Sequence, residues 1–317
     1  PWNRTQKYIL TLEVPFSDRH PQQGDEAIIG IIDSENYKFS PLITTNTWNL
    51  QQGCMVQWLG PEFDNKIIYN DMINNKYVSI IYHIDTKGKR IIDRPIYSVS
   101  KDGKKALSLN FSRLHRLRPG YGYANLSDDT KGKNHPSDDG IWYVDLDKNT
   151  SKLIISLEDI VNINPNETMK DAQHKFNHLD INPDGTRFMF LHRWEKKNMK
   201  YSRLYTANLD GTDLYCLADD QMVSHCCWKN NHQILGWLRK KDIGDRYYLL
   251  NDKATDYEIM GDGVLNTDGH PSYSPSGRYI LTDTYPDKTR MRTLIIYDTV
   301  EKKRYDVGKY FAPFKYD

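Results

Sequence analysis

Three histidines recur at one position relative to a repeated turn. His178, His225 and His270 each stand seven residues before the last residue of a four-residue turn. Neutral imidazole is a common ligand of borderline metal ions and a general base near neutral pH. Three imidazoles on a rigid scaffold would leave open coordination positions, which is typical of catalytic metal sites. We therefore expect either a shared metal or catalytic site or, alternatively, a structural histidine inherited with each repeat.

Residues 111–140 carry a second group of candidate functional side chains. The first part of this segment contains Arg113, His115, Arg116, Arg118, Tyr121 and Tyr123. Guanidinium groups bind planar carboxylates through paired hydrogen bonds, and tyrosine rings offer faces on which sugars can stack. This composition predicts a surface for a polyanionic substrate. The alternative is an exposed basic loop without a function.

The repeated turns identify the elements that must position these residues. Each turn lies between two apolar runs, and a pair of short alternating segments around a polar break follows it, which is typical of a β-hairpin. The turns end 82, 47 and 45 residues apart, and the first spacing corresponds to two units. They lie at residues 100–103, 182–185, 229–232 and 274–277. Four short strands in a repeat of this length predict an all-β fold, a β-propeller of four-stranded antiparallel blades.

Six blades can be counted in one predicted domain that spans residues 1–317. They lie near residues 1–46, 54–95, 96–157, 174–218, 223–261 and 269–308, and the third contains the insertion 111–140. We expect a seven-bladed ring with one blade outside the given sequence; a six-bladed ring is the alternative. Because the first strand of each blade lines the central channel of a propeller, the three histidines should converge there. Asn110 and His192, seven residues after their turns, should return to the same face.

Composition excludes several classes of partner. The 43 Lys and Arg residues against 42 Asp and Glu residues give a net charge of +1, which argues against a nucleic-acid partner. No apolar run approaches the length of a membrane span. The four cysteines, Cys54, Cys216, Cys226 and Cys227, form no disulfide framework. We therefore expect a cytoplasmic protein, with the periplasm as the alternative if a signal peptide has been removed.

Several motifs resemble those of the oligogalacturonate lyases. They are Phe-Asn-His-Leu-Asp-Ile-Asn-Pro at 176–183, Phe-Leu-His-Arg-Trp at 190–194, Ser-His-Cys-Cys-Trp at 224–228 and Asp-Gly-His-Pro-Ser-Tyr-Ser-Pro at 268–275. Members of that family are seven-bladed propellers that bind a divalent ion, usually manganese, on histidines. They cleave uronate oligosaccharides by β-elimination, and the ulvan lyases share their architecture more distantly. The resemblance extends over residues 48–287.

The resemblance implies a role for each repeated histidine. His225 and His270 match metal ligands of the lyases, and His178 matches their catalytic histidine. The family has a glutamine and a further histidine just before His270, which this sequence lacks. Asp268 could replace the missing histidine as an oxygen ligand. The resemblance implies manganese as the metal, with zinc, calcium or no bound metal as alternatives. Independently of the resemblance, Asp283 could either orient a ligand or end a strand.

These observations predict a polysaccharide lyase that acts on a uronic-acid-containing glycan. The expected base is His178, or alternatively His115. Tyr121 or Tyr123 is expected to protonate the leaving oxygen. The metal ion or Arg118 is expected to neutralise the substrate carboxylate. The residues expected to bind the anionic glycan are Arg113, Arg116, Tyr121, Asn110, His192 and Arg193. The alternative is a non-catalytic propeller that binds a glycan or a protein partner, which the incomplete metal motif favours.

Overall fold

A computed structural model describes residues 1–313, in which β-strands dominate. These residues form 23 strands and two short helices. The strands make six sheets in chain order, of which the first has three strands and the other five have four. This arrangement confirms the predicted fold class, an all-β propeller of four-stranded antiparallel blades; a seventh blade stays a prediction. Neither helix of residues 1–313 has the length and apolar composition needed to cross a membrane.

The chain divides into two compact units, and the first unit covers Pro1–Ile181. Its first sheet contains β1 (Tyr8–Glu13), β2 (Ala27–Asp33) and β3 (Phe39–Thr45). The second contains β4 (Gln57–Trp58), β5 (Lys66–Ile73), β6 (Lys76–His83) and β7 (Lys89–Ile92). The third contains β8 (Ser98–Val99), β9 (Lys105–Ser108), β10 (Gly140–Asp145) and β11 (Thr150–Ser156). The strand β12 (Gln173–Ile181) ends this unit.

The second unit begins at Asn182. Its first strands are β13 (Arg187–Lys196), β14 (Met199–Asn208) and β15 (Tyr215–Ala218). The next sheet contains β16 (Val223–Trp228), β17 (Gln233–Lys240), β18 (Gly244–Asn251) and β19 (Tyr257–Met260). The last sheet contains β20 (Ser272–Tyr273), β21 (Tyr279–Asp283), β22 (Met291–Asp298) and β23 (Lys303–Phe311).

Sheets in the middle of a unit bury apolar side chains on both faces. In β17, Ile234 and Leu238 pack into a core cluster with Leu191 of β13. The intervening Leu235 packs on the other face, in a cluster with Ile280 of the last sheet. Because successive side chains of a strand point to opposite faces, this strand reads as a nearly continuous apolar run. Consecutive sheets of the second unit therefore stack face to face.

The first unit repeats this packing. Ile67 of β5 is buried in a cluster with Leu10 of the first sheet. Its neighbour Ile68 is buried in a cluster with Val144 of the third sheet. The second sheet is therefore covered on both faces as well.

The insertion leaves the third sheet between β9 and β10, as the sequence predicts, and it begins with a helix. This helix, α1, spans Phe111–Leu117, and the side chain of Asn110 caps its start by accepting the backbone N–H of Arg113. Phe111 and Leu114, three residues apart, are both buried. The sequence does not predict α1, because seven residues give too short a periodic pattern. The second helix, α2 (Leu157–Val161), has a capping box formed by Ser156 and Asp159.

One buried asparagine joins three parts of the first unit. Asn70 of β5 is fully buried. Its Nδ2 donates to the Ile96 carbonyl at 2.8 Å and to the Tyr123 hydroxyl at 2.9 Å. Its Oδ1 accepts from the Ser79 hydroxyl at 2.9 Å and from the Ile96 N–H at 2.8 Å. Because buried polar groups need hydrogen-bond partners, these bonds make Asn70 a stabilising connection between the second sheet and the insertion.

We expect Asn70→Ala to lower the free energy of unfolding by about 3 kcal/mol, because it leaves several buried polar groups without partners. Urea denaturation followed by tryptophan fluorescence measures this change. Asn36→Ala is the matched control, because Asn36 is exposed and its side chain accepts only from the Lys38 N–H. The control should change the free energy of unfolding by less than about 0.5 kcal/mol. Equal effects of the two substitutions would contradict the structural role of Asn70.

Candidate functional site

Two of the three repeated histidines lie side by side in the second unit. His225 is in β16, and His270 lies two residues before β20; β16 and β20 are the first strands of consecutive sheets. Their ring centroids are 4.3 Å apart, and their planes are inclined by 49°. The ring of Tyr285 lies 6.2 Å from His225 and 5.9 Å from His270. We call His225 and His270 the histidine pair.

Each imidazole of the histidine pair contacts its own carboxylate. His225 Nδ1 lies 3.0 Å from Asp268 Oδ1, and His270 Nδ1 lies 2.9 Å from Asp283 Oδ1. Because an ionised carboxylate only accepts hydrogen bonds, each Nδ1 is assigned the proton. In a neutral ring the lone pair is then on Nε2. A carboxylate that orients an imidazole in this way is typical of histidines that bind metals or transfer protons.

The two carboxylates are themselves held in place. The Ser224 hydroxyl donates to Asp268 Oδ2 at 2.5 Å, and the Gly269 N–H donates to Asp268 Oδ1 at 2.9 Å. Asp283 Oδ1 also accepts the backbone N–H of His270 at 2.8 Å. A Cβ on Gly269 would lie 1.9 Å from the carbonyl oxygen of Asp283, so only glycine fits there. The Asp-Gly-His segment at residues 268–270 therefore packs tightly against the backbone of Asp283.

The site is open to solvent on the side of His270. The side chain of His225 is 12% exposed and that of His270 is 56% exposed. The Arg193 guanidinium donates to the Ser224 carbonyl at 3.1 Å and therefore lies against the strand that carries His225. Arg193, which the sequence predicts to bind substrate, thus adds a positive charge near the pair.

The histidine pair supplies two imidazoles as candidate metal ligands. Within residues 1–313, no group of three or more His, Cys, Asp or Glu side chains could hold a metal ion. Asp268, the predicted third ligand, uses one carboxylate oxygen for His225 and the other for Ser224. This geometry favours an orienting role for Asp268. His225 and His270 remain the two candidate ligands, with their carboxylates as the surrounding shell.

The third repeated histidine, His178, belongs to the first unit. It lies in β12 with a positive φ of 52°, a backbone conformation that is costly for a residue other than glycine. Its N–H donates to the Tyr97 hydroxyl at 3.0 Å. The Tyr121 ring stands at right angles to the His178 ring, with centroids 6.1 Å apart, and the Arg118 guanidinium lies 5.3 Å from the Tyr121 centroid. The structure thus brings together three predicted catalytic or binding residues.

The two other predicted catalytic residues of the insertion, His115 and Tyr123, also belong to the first unit. His115 is partly buried, and this burial lowers the pKa of its imidazole. The ring is therefore neutral at pH 7 and has the protonation state of a base. Tyr123 is fully buried and its hydroxyl accepts from Asn70, while burial raises the pKa of that hydroxyl well above its usual value. Its position favours a structural role over contact with a leaving oxygen.

Several residues predicted to bind substrate contact the protein instead. Arg113 is 2% exposed and donates to the carbonyls of His174 and Asn134 at 2.8 and 2.7 Å. Arg116 forms an ion pair with Asp128 at 2.7 Å. The remaining two are Asn110, which caps α1 and donates to Asp139, and His192, which is buried with its ring 4.9 Å from that of Trp194. These positions favour structural roles for all four residues.

The sequence points to Asp283 but not to its partner, and it does not indicate Ser224 or Tyr285 as site residues. The strand register contains the signal for Asp283. Ser272 pairs with Leu281 across the turn, and extending this antiparallel register by two residues places His270 opposite Asp283. Ser224 and Tyr285 have no comparable signal, because the contacts of Ser224 with Asp268 and of Tyr285 with His225 join different sheets.

Comparisons with known proteins identify the fold. No protein-family model and no curated protein matches the sequence. TolB from Acinetobacter baumannii matches with a TM-score of 0.52 at 14% identity, over 95% of this chain and 63% of that chain. An oligogalacturonate lyase in complex with manganese matches with a TM-score of 0.54 at 11% identity, over 96% of this chain and 74% of that chain. The β-propeller domain of the Trilobed protease from Pyrococcus furiosus gives a TM-score of 0.50 at 16% identity, over 82% and 71%.

At these sequence identities, the similarity shows the fold alone. This chain shares the β-propeller architecture of the three proteins, and it spans less than two thirds of the length of TolB. The comparisons therefore support the β-propeller fold.

We expect Gly269→Ala to lower the free energy of unfolding by about 2 kcal/mol, because the new methyl group forces the Asp283 backbone to move. Chemical denaturation measures this loss. Gly88→Ala serves as the control, because the nearest atom to its added Cβ is the Thr86 hydroxyl at 3.3 Å. If the two variants lose the same stability, the corner around Gly269 is not tightly packed.

Proposed function

We propose that this protein is a lyase that cleaves a uronic-acid-containing oligosaccharide or polysaccharide by β-elimination. The observation that carries the proposal is the histidine pair, two carboxylate-oriented imidazoles with ring centroids 4.3 Å apart. Such an elimination requires neutralisation of the substrate carboxylate, a base for the C5 proton and an acid for the leaving oxygen. The motif resemblance to the oligogalacturonate lyases supports the same reaction.

The histidine pair would interact with the substrate carboxylate. His225 and His270 would hold a divalent ion, manganese by resemblance, with zinc or calcium as alternatives. When bound, such an ion supplies Lewis-acid neutralisation of the substrate carboxylate. Asp268 and Asp283 keep the two rings in one tautomer and one orientation, and the charge of Arg193 favours an anionic glycan near the pair.

His178 is the proposed base, and its neighbours suit this role. The Tyr97 hydroxyl holds its backbone, and Tyr121 packs against its ring. Tyr121 is the proposed donor of a proton to the leaving oxygen, and Arg118 beside it would bind a second uronate carboxylate. His115 is the alternative base, because its lowered pKa keeps the ring neutral at pH 7.

A second candidate function is a non-catalytic propeller that binds an anionic glycan or a protein partner. The observation that favours it is the two-histidine donor set, which is smaller than the usual protein ligand set of a catalytic metal. In such a protein His270→Ala would weaken glycan binding without affecting any turnover.

We expect the purified protein to release unsaturated uronate products from oligogalacturonates, polygalacturonate, alginate or ulvan. We expect His225→Ala and His270→Ala to lower kcat at least about 100-fold. The assay follows the ultraviolet absorbance of the product with and without added Mn²⁺. Elemental analysis of the same preparations should show a divalent metal in the wild type and its loss in both variants. His232→Ala is the matched control, because His232 is exposed in the turn that follows β16.

Absence of product from all four substrates, with or without metal, would contradict the lyase. Calorimetric binding of tetragalacturonate that His270→Ala abolishes would then support the binding protein.

A further inference from the structure

The first unit contains a cleft that the proposed lyase reaction does not use. Its volume is about 510 Å³, which is in the range of sites for small ligands. The walls come from the start of β6, the segment before β8, the start of α1, the insertion and β10. We call it the insertion cleft. It lies entirely within residues 75–142.

One wall of the insertion cleft combines a guanidinium group with an indole ring. The Arg94 guanidinium lies 3.6 Å from the centroid of the Trp142 ring. Arg94 Nε donates to the Ser151 hydroxyl at 3.1 Å. Its Nη1 and Nη2 have no acceptor among the residues that the structure describes. Burial of the side chain lowers the pKa of this guanidinium. Arg94 therefore presents oriented donors that water or a ligand must satisfy.

Carboxylates form another part of the lining. Asn110 Nδ2 donates to Asp139 Oδ2 at 2.9 Å and contacts Asp129 Oδ1 at 3.4 Å, so the two carboxylates stand close together. Asp139 is 7% exposed, and Asp129 is exposed. With Asp93 and Asp138, four carboxylates line the cleft against two basic side chains, Lys76 and Arg94. Lys133 pairs with Asp138 at 2.9 Å, so three carboxylates still outnumber the two basic side chains of the lining. This excess of negative charge disfavours a uronate or any other anionic ligand.

We propose that the insertion cleft binds an uncharged saccharide. Sugar hydroxyl groups both donate and accept hydrogen bonds, so they match a lining that offers Arg94 as donor and Asp129 as acceptor. The Trp142 indole, one face of which Arg94 covers, lines the cleft and gives it an apolar part for the C–H groups of a sugar. The charge balance distinguishes this ligand from the anionic glycan proposed for the histidine pair. The inference is independent of lyase activity, because it concerns a different site.

Isothermal titration calorimetry with four neutral probes tests this inference: cellotetraose, xylotetraose, mannotetraose and β-1,4-galactotetraose. Tetragalacturonate is the anionic comparison. At least one neutral probe should bind, and Arg94→Gln and Asp129→Asn should each raise its Kd at least about 10-fold, which corresponds to about 1.4 kcal/mol. Arg239→Gln is the matched control, because Arg239 is an exposed arginine that pairs with Asp245 in the second unit.

Two variants keep the test decisive. Arg94→Gln removes packing on Trp142 and could affect folding, whereas Asp129 is exposed and makes one long contact. Circular dichroism checks that each variant is folded. The proposal is overturned if no neutral probe binds, if both variants bind the neutral probe as tightly as the wild type does, or if only tetragalacturonate binds and Arg94→Gln weakens it.

Discussion

The covering of both faces of each internal sheet is the constraint on which the rest of the second unit depends. Because side chains alternate along a strand, β17 contributes Ile234 to one core cluster and Leu235 to the next. Each internal sheet must therefore keep its position relative to its neighbours, so that the apolar side chains on both of its faces stay buried. Residues at the same offset from the repeated turn, in or just before the first strands of neighbouring sheets, then lie side by side. The contact between His225 and His270 is a direct consequence of this stacking.

A single hairpin supplies both carboxylates of the site. Asp268 precedes β20 and Asp283 ends β21, so the turn between these strands fixes their relative position. Asp268 orients a histidine of the preceding sheet, whereas Asp283 orients the histidine of its own hairpin. Gly269 allows the two segments to approach closely. The orientation of both rings of the histidine pair thus depends on the carboxylates of this one hairpin.

A basic residue of the insertion stabilises the fold of the first unit by donating hydrogen bonds to buried carbonyls. Backbone carbonyls of a long connection need donors when they are buried, and Arg113 donates to the carbonyls of Asn134, Lys133 and His174. Tyr123 and Asn70 connect the same segment to the second sheet. Arg118 and Tyr121 of the same segment are only half-buried. The segment also lines the insertion cleft together with β10.

The sequence by itself determined the fold class, because turns and alternating strands are local patterns that recur along the chain. The same repeat placed His225 and His270 at equivalent positions, and the long third repeat showed the insertion between β9 and β10. Only the tertiary structure decided that Arg113 and Tyr123 are buried, that Asp268 orients a histidine and that Asp283 partners His270. Burial depends on what packs against a residue from distant parts of the chain, so residue type and spacing could not separate structural arginines and tyrosines from exposed ones.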